Sequence, residues 1–165
     1  MSDQKQAQQL STEVTNEIDA WRAKFPAEQQ RSAVLAALHA VQHHDGYVST
    51  GAMDAVADYL SMDKLSVYEV GSFYSMFELQ PVGRHMVSMC NNISCMLRGA
   101  DKLVAHVENK LGIKLGETTA DQRITLKMEE ECLAACVGGP MMAVDGHYHE
   151  DLTVEKLDQI LDALD

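Results

Sequence analysis

The chain has 165 residues, enough for one domain with an added helical segment or for two small domains. Its 46% apolar content allows a packed core and excludes global disorder. The formal net charge of −12 argues against a nucleic-acid-binding or anionic-membrane surface, since both need basic patches, and for the acidity itself solubility is explanation enough.

The opening MSDQKQAQQL carries no apolar signal-peptide core and no Arg-rich, acid-poor transit composition. No apolar run is long enough to span a bilayer. The expectation is a cytoplasmic chain, or a mature organellar one without its presequence. In such a compartment structural disulfides are uncommon, so the four cysteines are expected to bind metal or do redox work.

Met1 to about Ser11 is Gln-rich and reads as a mobile lead-in. Val14, Ile18, Trp21 and Phe25 then recur at helical spacing, and Pro26 is expected to end that helix. A second helix carries Val34, Leu35, Leu38 and Val41 and runs into a turn at Asp45-Gly46. Ser49-Thr50 can cap a third, with Met53, Val56, Ala57 and Leu60 on its apolar face. Ser66 to Glu69 has capping-box spacing for a fourth, with Val67, Val70, Tyr74 and Phe77 facing inward and Pro81 as its stop. Residues 1–82 therefore read as an N-terminal helical bundle.

The pattern changes near Arg84. Met86, Ser88 and Cys90 alternate with Val87 and Met89, so His85 to Cys90 reads as a strand ending on a cysteine. One helix is expected to carry Leu97, Ala100, Leu103, Val104, Val107 and Leu111, with Gly112 as C-cap. After the polar loop GETTADQ, Ile124, Leu126 and Met128 mark a period-2 strand that leads towards Cys132. Met141 to Val144 and Tyr148 to Glu150 flank Asp145-Gly146, a hairpin signal. A last helix starts at Thr153, with Leu152 and Leu157 spaced as a hydrophobic staple and Leu157, Ile160, Leu161 and Leu164 inward. Residues 83–165 thus read as β-α-β-β-α, a helical layer on a short sheet, which makes the whole chain α+β.

All four cysteines fall in this second part, each pair where a strand ends. Cys90 and Cys95 have C-x4-C spacing, and Cys132 and Cys136 have C-x3-C spacing. Two thiolates on a short loop reach adjacent coordination positions without straining the backbone. Two such loops supply four sulfurs, the number a [2Fe–2S] cluster requires. Ser94, Ala134, Ala135, Gly138 and Gly139 are small enough to let backbone N–H groups approach those sulfurs, which would raise a reduction potential. Glu129, Glu130 and Glu131 would act the opposite way if they faced the metal. A structural zinc site with four cysteines, two local disulfides and four unconnected thiols remain as competing readings, although zinc ribbons favour x2 spacings.

Other features carry less chemistry. His43-His44 reads as a solvated helix end, and His147 and His149 share a strand face without a third ligand. The methionines sit mostly on apolar faces, as core filling. There is no Gly-rich phosphate loop, no Ser-His-Asp order and no candidate catalytic residue.

On the motifs CNNISCMLRG and ECLAACVGGP the sequence resembles the small [2Fe–2S] subunit of the NADH-oxidising module of respiratory complex I, the NADH:quinone oxidoreductase. ALHAVQHHDGYVS, AMDAVADYL, VYEVGSFYSMF, PVGRH and DGHYHEDLT are similar to the same family, so the resemblance runs from about Ala33 to the end. It implies a thioredoxin-like [2Fe–2S] ferredoxin domain behind the helical bundle, with Cys90, Cys95, Cys132 and Cys136 as ligands. It also implies docking to a larger subunit that holds FMN, a further iron–sulfur cluster and the NADH site, beside other iron–sulfur subunits. The stretch Val-Gly-Gly-Pro after Cys136 departs from the Asn-Ala-Pro type of many relatives, a difference that falls on the local hydrogen bonds to the cluster.

The expected function is that of a one-electron carrier, in the cytoplasm and peripheral to the inner membrane as part of a complex, with neither nucleic-acid binding nor membrane insertion. The matching diaphorase subunit of an NAD-linked formate dehydrogenase or hydrogenase is the alternative within the class. A zinc-stabilised interaction module without redox role is the alternative outside it.

Overall fold

Ser11 opens the first helix, its hydroxyl accepting from the Val14 N–H at 3.2 Å. In the computed structural model, residues 9–127 and 132–165 are described. They belong to two units, Met1–Pro81 and Val82–Asp165. Met128, Glu129, Glu130, Glu131 and the first eight residues lie outside the described set, and with them the lead-in, the end of the second expected strand and the acidic run.

The first unit is helical. Helix α1 (Thr12–Arg22) buries Val14 and Ile18. Trp21 and Phe25 were expected to continue that face, but α1 ends at Arg22, ahead of Pro26. Trp21 is consequently 39% exposed, and the Lys24 ammonium sits 3.4 Å above its ring. A 3-10 turn (Ala27–Ala33) leads into α2 (Val34–Asp45), which stops at Gly46 in the left-handed region with φ 83°. Ser49 caps α3 (Thr50–Leu60), its hydroxyl accepting from the Ala52 N–H at 3.0 Å.

Helix α4 (Lys64–Phe73) corrects the capping-box reading. Its cap is Asp63, whose carboxylate accepts from the Leu65 N–H at 2.9 Å, so Ser66 already lies inside the helix. The helix also ends before Tyr74 and Phe77. Phe77 is buried all the same, from a turn, with its ring 5.0 Å from that of His39. Helix α2 packs against α1, α3 and α4, and α3 against α4. The last contact is close at Gly71, where an added Cβ would lie 3.1 Å from Met53 Cε.

The second unit is a four-stranded sheet in the order β2-β1-β3-β4, made of β1 (His85–Met89), β2 (Ile124–Lys127), β3 (Met142–Val144) and β4 (His147–His149). Strands β1 and β2 are parallel, and the antiparallel β3 and β4 continue the sheet beyond β1. A parallel pair needs a crossover, and two helices supply it: α5 (Ile93–Leu97) and α6 (Ala100–Leu111). The sequence suggested one helix here. Gly99, at φ 94°, breaks it, which leaves Leu97 77% exposed instead of on the apolar face.

Val87, Met89, Leu126 and Val144 share a core with Leu103 and Val107 of α6 and Leu157 and Leu161 of α7 (Val154–Asp162). The expected in-out alternation of β1 and β2 is absent, because Ser88 and Thr125 are buried as well. Thr125 Oγ1 accepts from the Gly83 N–H at 2.7 Å and pairs with Thr118 Oγ1 at 2.7 Å, so a polar side chain is satisfied inside. Asp145 and Gly146 take φ 50° and 82°, the two positive values of a type I′ hairpin. Leu152 and Leu157 bracket the Thr153 cap and are both buried, as a staple requires. At the far end of α7, Arg123 Nη1 donates to the carbonyls of Leu164 at 2.9 Å and Leu161 at 3.3 Å. Among the described residues, no helix is long and apolar enough to cross a membrane.

Candidate metal centre

Strand β1 delivers Cys90 to the end of the sheet. Its N–H donates to the Met141 carbonyl at 3.2 Å, so the last rung of the β1–β3 ladder fixes it. The chain then turns at Asn92, whose side-chain oxygen accepts from the Ile93 N–H at 2.7 Å and opens α5. Cys95 sits inside that short helix. Cys90 and Cys95 are each 1% exposed and form a small buried cluster with Ala100 and Met141.

The second pair sits on irregular chain. Ala134 adopts φ 61°, a conformation that an L residue takes at a cost of roughly 1 kcal/mol. Its N–H donates to Cys132 Sγ at 3.3 Å. A 3-10 turn (Cys136–Gly138) follows, and Gly139-Pro140 leads back to β3. Cys132 and Cys136 are exposed, so the site has one buried side and one near solvent.

All four thiols are free, and the 3.6 Å between the sulfurs of Cys132 and Cys136 is a non-bonded contact, far beyond the ~2.05 Å of a disulfide. It is instead close to the edge of a tetrahedral metal–thiolate centre, about 3.8 Å for bonds of about 2.3 Å. Each of these thiols feels its neighbours electrostatically: Cys90 acts on Cys95, Cys95 and Cys132 on Cys90, and Cys136 on Cys132.

Their protonation shows the crowding. Burial pushes Cys90 up, but N–H groups of Leu133 and Asn92 and the neighbouring thiols outweigh it, and Cys90 ends below the ordinary thiol value. Cys95 is pushed up to about 11, first by burial and then by Cys90 beside it. At Cys132 the Ala134 N–H pulls downward, but Cys136, burial and Cys90 together leave it raised. Without cations, one thiolate in the group suppresses ionisation of the next.

The surroundings fit an anionic metal–sulfur group. Cys132 Sγ accepts from the backbone N–H of Ala134 at 3.3 Å, and the N–H groups of Asn92 and Leu133 at Cys90 and of Met141 at Cys95 favour the thiolates. Of the small residues expected to permit this, Ala134 donates directly. Gly139 acts by its missing side chain, since a Cβ there would lie 3.1 Å from Cys95 Sγ. Ser94 Oγ reaches the Cys136 carbonyl at 3.4 Å, Ala135 accepts the Gly138 N–H, and Gly138 makes room for the Glu150 side chain. Among the described residues, no three His, Cys, Asp or Glu side chains are arranged to hold one ion. Four thiols in two pairs supply the two cysteines per iron that a [2Fe–2S] cluster needs.

Sequence reasoning passed over Arg98, whose Nη1 donates to the carbonyls of Val137 at 2.7 Å and Gly139 at 3.0 Å. An arginine three residues after a candidate ligand cysteine, one helical turn on, is the signal that could have found it. His43 and His44 are exposed in the last turn of α2, and His44 pairs with Asp45 at 2.6 Å. His147 and His149 lie on β4.

Residues 18–165 match the family model described as thioredoxin-like [2Fe-2S] ferredoxin, and the chain belongs to that family. The group that goes with this fold and these cysteines is a [2Fe–2S] cluster. Among curated relatives, the chain is 42% identical to a subunit of the NADH-quinone oxidoreductase of Rickettsia conorii, over 86% of this chain and 84% of the relative. It is 40% identical to the corresponding NADH-quinone oxidoreductase subunit of Rhizobium meliloti, over 89% of this chain and 86% of the relative. The fold is also that of part of an NAD+-reducing [NiFe]-hydrogenase in the air-oxidised state, with a TM-score of 0.68 at 21% identity over 78% of this chain. This chain spans 22% of that longer one.

Proposed function

We propose that Cys90, Cys95, Cys132 and Cys136 hold one [2Fe–2S] cluster, and that this chain is the one-electron carrier subunit of an NADH:quinone oxidoreductase. The observation that carries the reading is four free thiols from two loops that pack together at the end of a sheet, with the Ala134 N–H donating to Cys132 Sγ at 3.3 Å. When bound, the cluster supplies reversible one-electron transfer without proton or group chemistry. The chain's own residues do the rest. The cysteines bind as thiolates, the Ala134 N–H on Cys132 Sγ spreads the negative charge, and burial of Cys90 and Cys95 keeps water from one side.

NADH gives up a hydride, and the ring that accepts it belongs to a partner, because hydride transfer is the work of a nicotinamide or flavin. This sequence has no glycine-rich dinucleotide fingerprint to seat NADH itself. The partner subunit is therefore the one that carries FMN and the NADH site, within an assembly that holds further iron–sulfur subunits. The setting is the cytoplasmic face of the inner membrane, which the subunit joins through its partners. The relatives at 40–43% identity over most of both chains support the quinone-reducing assembly over a hydrogenase or formate dehydrogenase, since the hydrogenase likeness is one of fold.

The purified chain should be reddish-brown, with visible charge-transfer bands and two irons and two sulfides per chain. A colourless chain with one zinc would sink the proposal. In anaerobic electron paramagnetic resonance, NADH should yield a reduced-cluster signal only when the flavin-bearing partner is added. A signal from the isolated chain with NADH alone, free of flavin, would refute the assignment of hydride chemistry to the partner.

A further inference from the structure

Arg98 ends α5, three residues past Cys95, and its own N–H donates to the Cys95 carbonyl at 3.1 Å. Its side chain leaves the first ligand loop and terminates on the second. Nη1 is shared between the carbonyls of Val137 and Gly139, which lie on either side of Gly138 and just after the ligand Cys136. Gly139 is also where the two loops touch: its missing Cβ would meet Cys95 Sγ at 3.1 Å and Arg98 Cδ at 3.7 Å. The ligand sulfur and the arginine arm therefore flank the same glycine.

The segment that Arg98 grips is held from its other side by the Asp151 N–H, which donates to the Gly138 carbonyl at 2.6 Å. Cys136 is exposed and begins a three-residue 3-10 turn, outside any strand ladder. Apart from Arg98, the hydrogen bond from the first loop to the Cys136 turn among the described residues is the long Ser94 Oγ contact at 3.4 Å. Hydrogen bonds to a charged donor are about twice as strong as neutral ones. A guanidinium also brings a permanent positive charge. One-electron reduction of the cluster adds one unit of negative charge and moves no bond or proton, so a fixed cation nearby favours the reduced form.

We infer that Arg98 is a positioning residue for the cluster, pinning the Cys136 turn to the Cys95 helix and biasing the site towards reduction by its charge. The inference rests on the cluster assignment made above. A wild-type chain without a [2Fe–2S] spectrum would defeat that assignment before any variant is compared.

The test uses the full chain as wild type, Arg98→Met and Arg98→Lys. Dye-mediated titration with dithionite as electron donor, followed by paramagnetic resonance, gives the potential. Visible circular dichroism gives the cluster's asymmetry, and iron release to a chelator gives its retention. Arg98→Met removes charge and both bonds at similar length. It should weaken reduction about fivefold, ~40 mV for a one-electron couple, alter the visible dichroism and release iron several-fold faster. Arg98→Lys should recover most of the potential through its charge, while still losing iron faster because its shorter arm cannot bridge both carbonyls. An Arg98→Met chain with wild-type potential and iron retention would overturn the inference. So would equal potential shifts in both variants, or the loss of far-ultraviolet helical signal in both, since Arg98 would then act through packing or folding alone.

Discussion

Cysteine is absent from residues 1–81 and occurs four times in 82–165. The first unit has one apolar core, in which Ile18, Leu38, Val41, Val56 and Val67 are fully buried. The second has an equivalent core between sheet and helices, and then a separate buried cluster whose members include Cys90 and Cys95. That cluster lies where β1 has ended and regular hydrogen bonding gives way to turns. The helical unit rests on apolar packing and capped helices, while the end of the sheet, in the reading proposed above, would also lean on metal–sulfur bonds. Metal binding of this kind is folding free energy for the loops that provide the ligands.

The largest expected effect tests that contrast directly. Changing any one of Cys90, Cys95, Cys132 or Cys136 to Ala should abolish or severely deplete the cluster, while helical content from residues 1–81 persists. Visible absorbance and iron content check this, and full retention of both in two of the four variants would break the assignment.

Dividing the chain comes next. A piece starting at Gly83 should take up iron and sulfide on reconstitution, with lower stability, because the four thiols and the sheet lie within it. Residues 1–82 should take up none. A second piece that is folded by circular dichroism yet binds no iron would show that the two units cannot be separated in this way.

Two tight glycines sharpen the comparison. Gly71→Val overpacks α4 on Met53 and should cost about 1–3 kcal/mol in denaturant unfolding, with the cluster spectrum unchanged. At Gly139, even Ala places a methyl against Cys95 Sγ. Gly139→Ala should therefore alter the visible dichroism of the cluster and leave the stability of the first unit alone. An unchanged spectrum in Gly139→Ala would remove the argument from close approach.

The smallest effect is a pH dependence confined to the second unit. His85 bridges Asp145 at 2.7 Å and Asp165 at 3.1 Å, and the Asp145 carboxylate raises its pKa above 6.5 despite the opposing effect of burial. The protonated imidazole is favoured in the folded state. Its contribution is full below the unfolded value near 6.5 and is lost as pH rises through the raised folded value. Wild type should thus lose a few tenths of a kcal/mol relative to His85→Gln between pH 6 and pH 8.5. Parallel pH profiles of the two would show that the bridge adds nothing.

Much of this molecule was legible in the sequence because it rests on short-range rules. The Ser49 and Thr153 caps, the Asp145-Gly146 turn, the Leu152–Leu157 staple and the end of α2 at Gly46 depend on backbone groups within a few residues. The α4 boundary was misread because Asp63 and Ser66 are both competent caps, and local chemistry alone does not choose between them. The break at Gly99 was missed because a glycine inside an apolar period is compatible with a continuous helix.

By itself, the sequence determined the class of each half, the turn chemistry and the set of four cysteines, since residue type and spacing limit what two short loops can ligate. Tertiary structure decided the rest. The order β2-β1-β3-β4 brings the end of β1 beside the start of β3, and this sets Cys90 against Met141 and carries the Cys132–Cys136 loop alongside. Only then does the Arg98 side chain meet carbonyls some forty residues away in the chain. Contacts at that separation depend on loop closure and strand pairing, which no local pattern encodes.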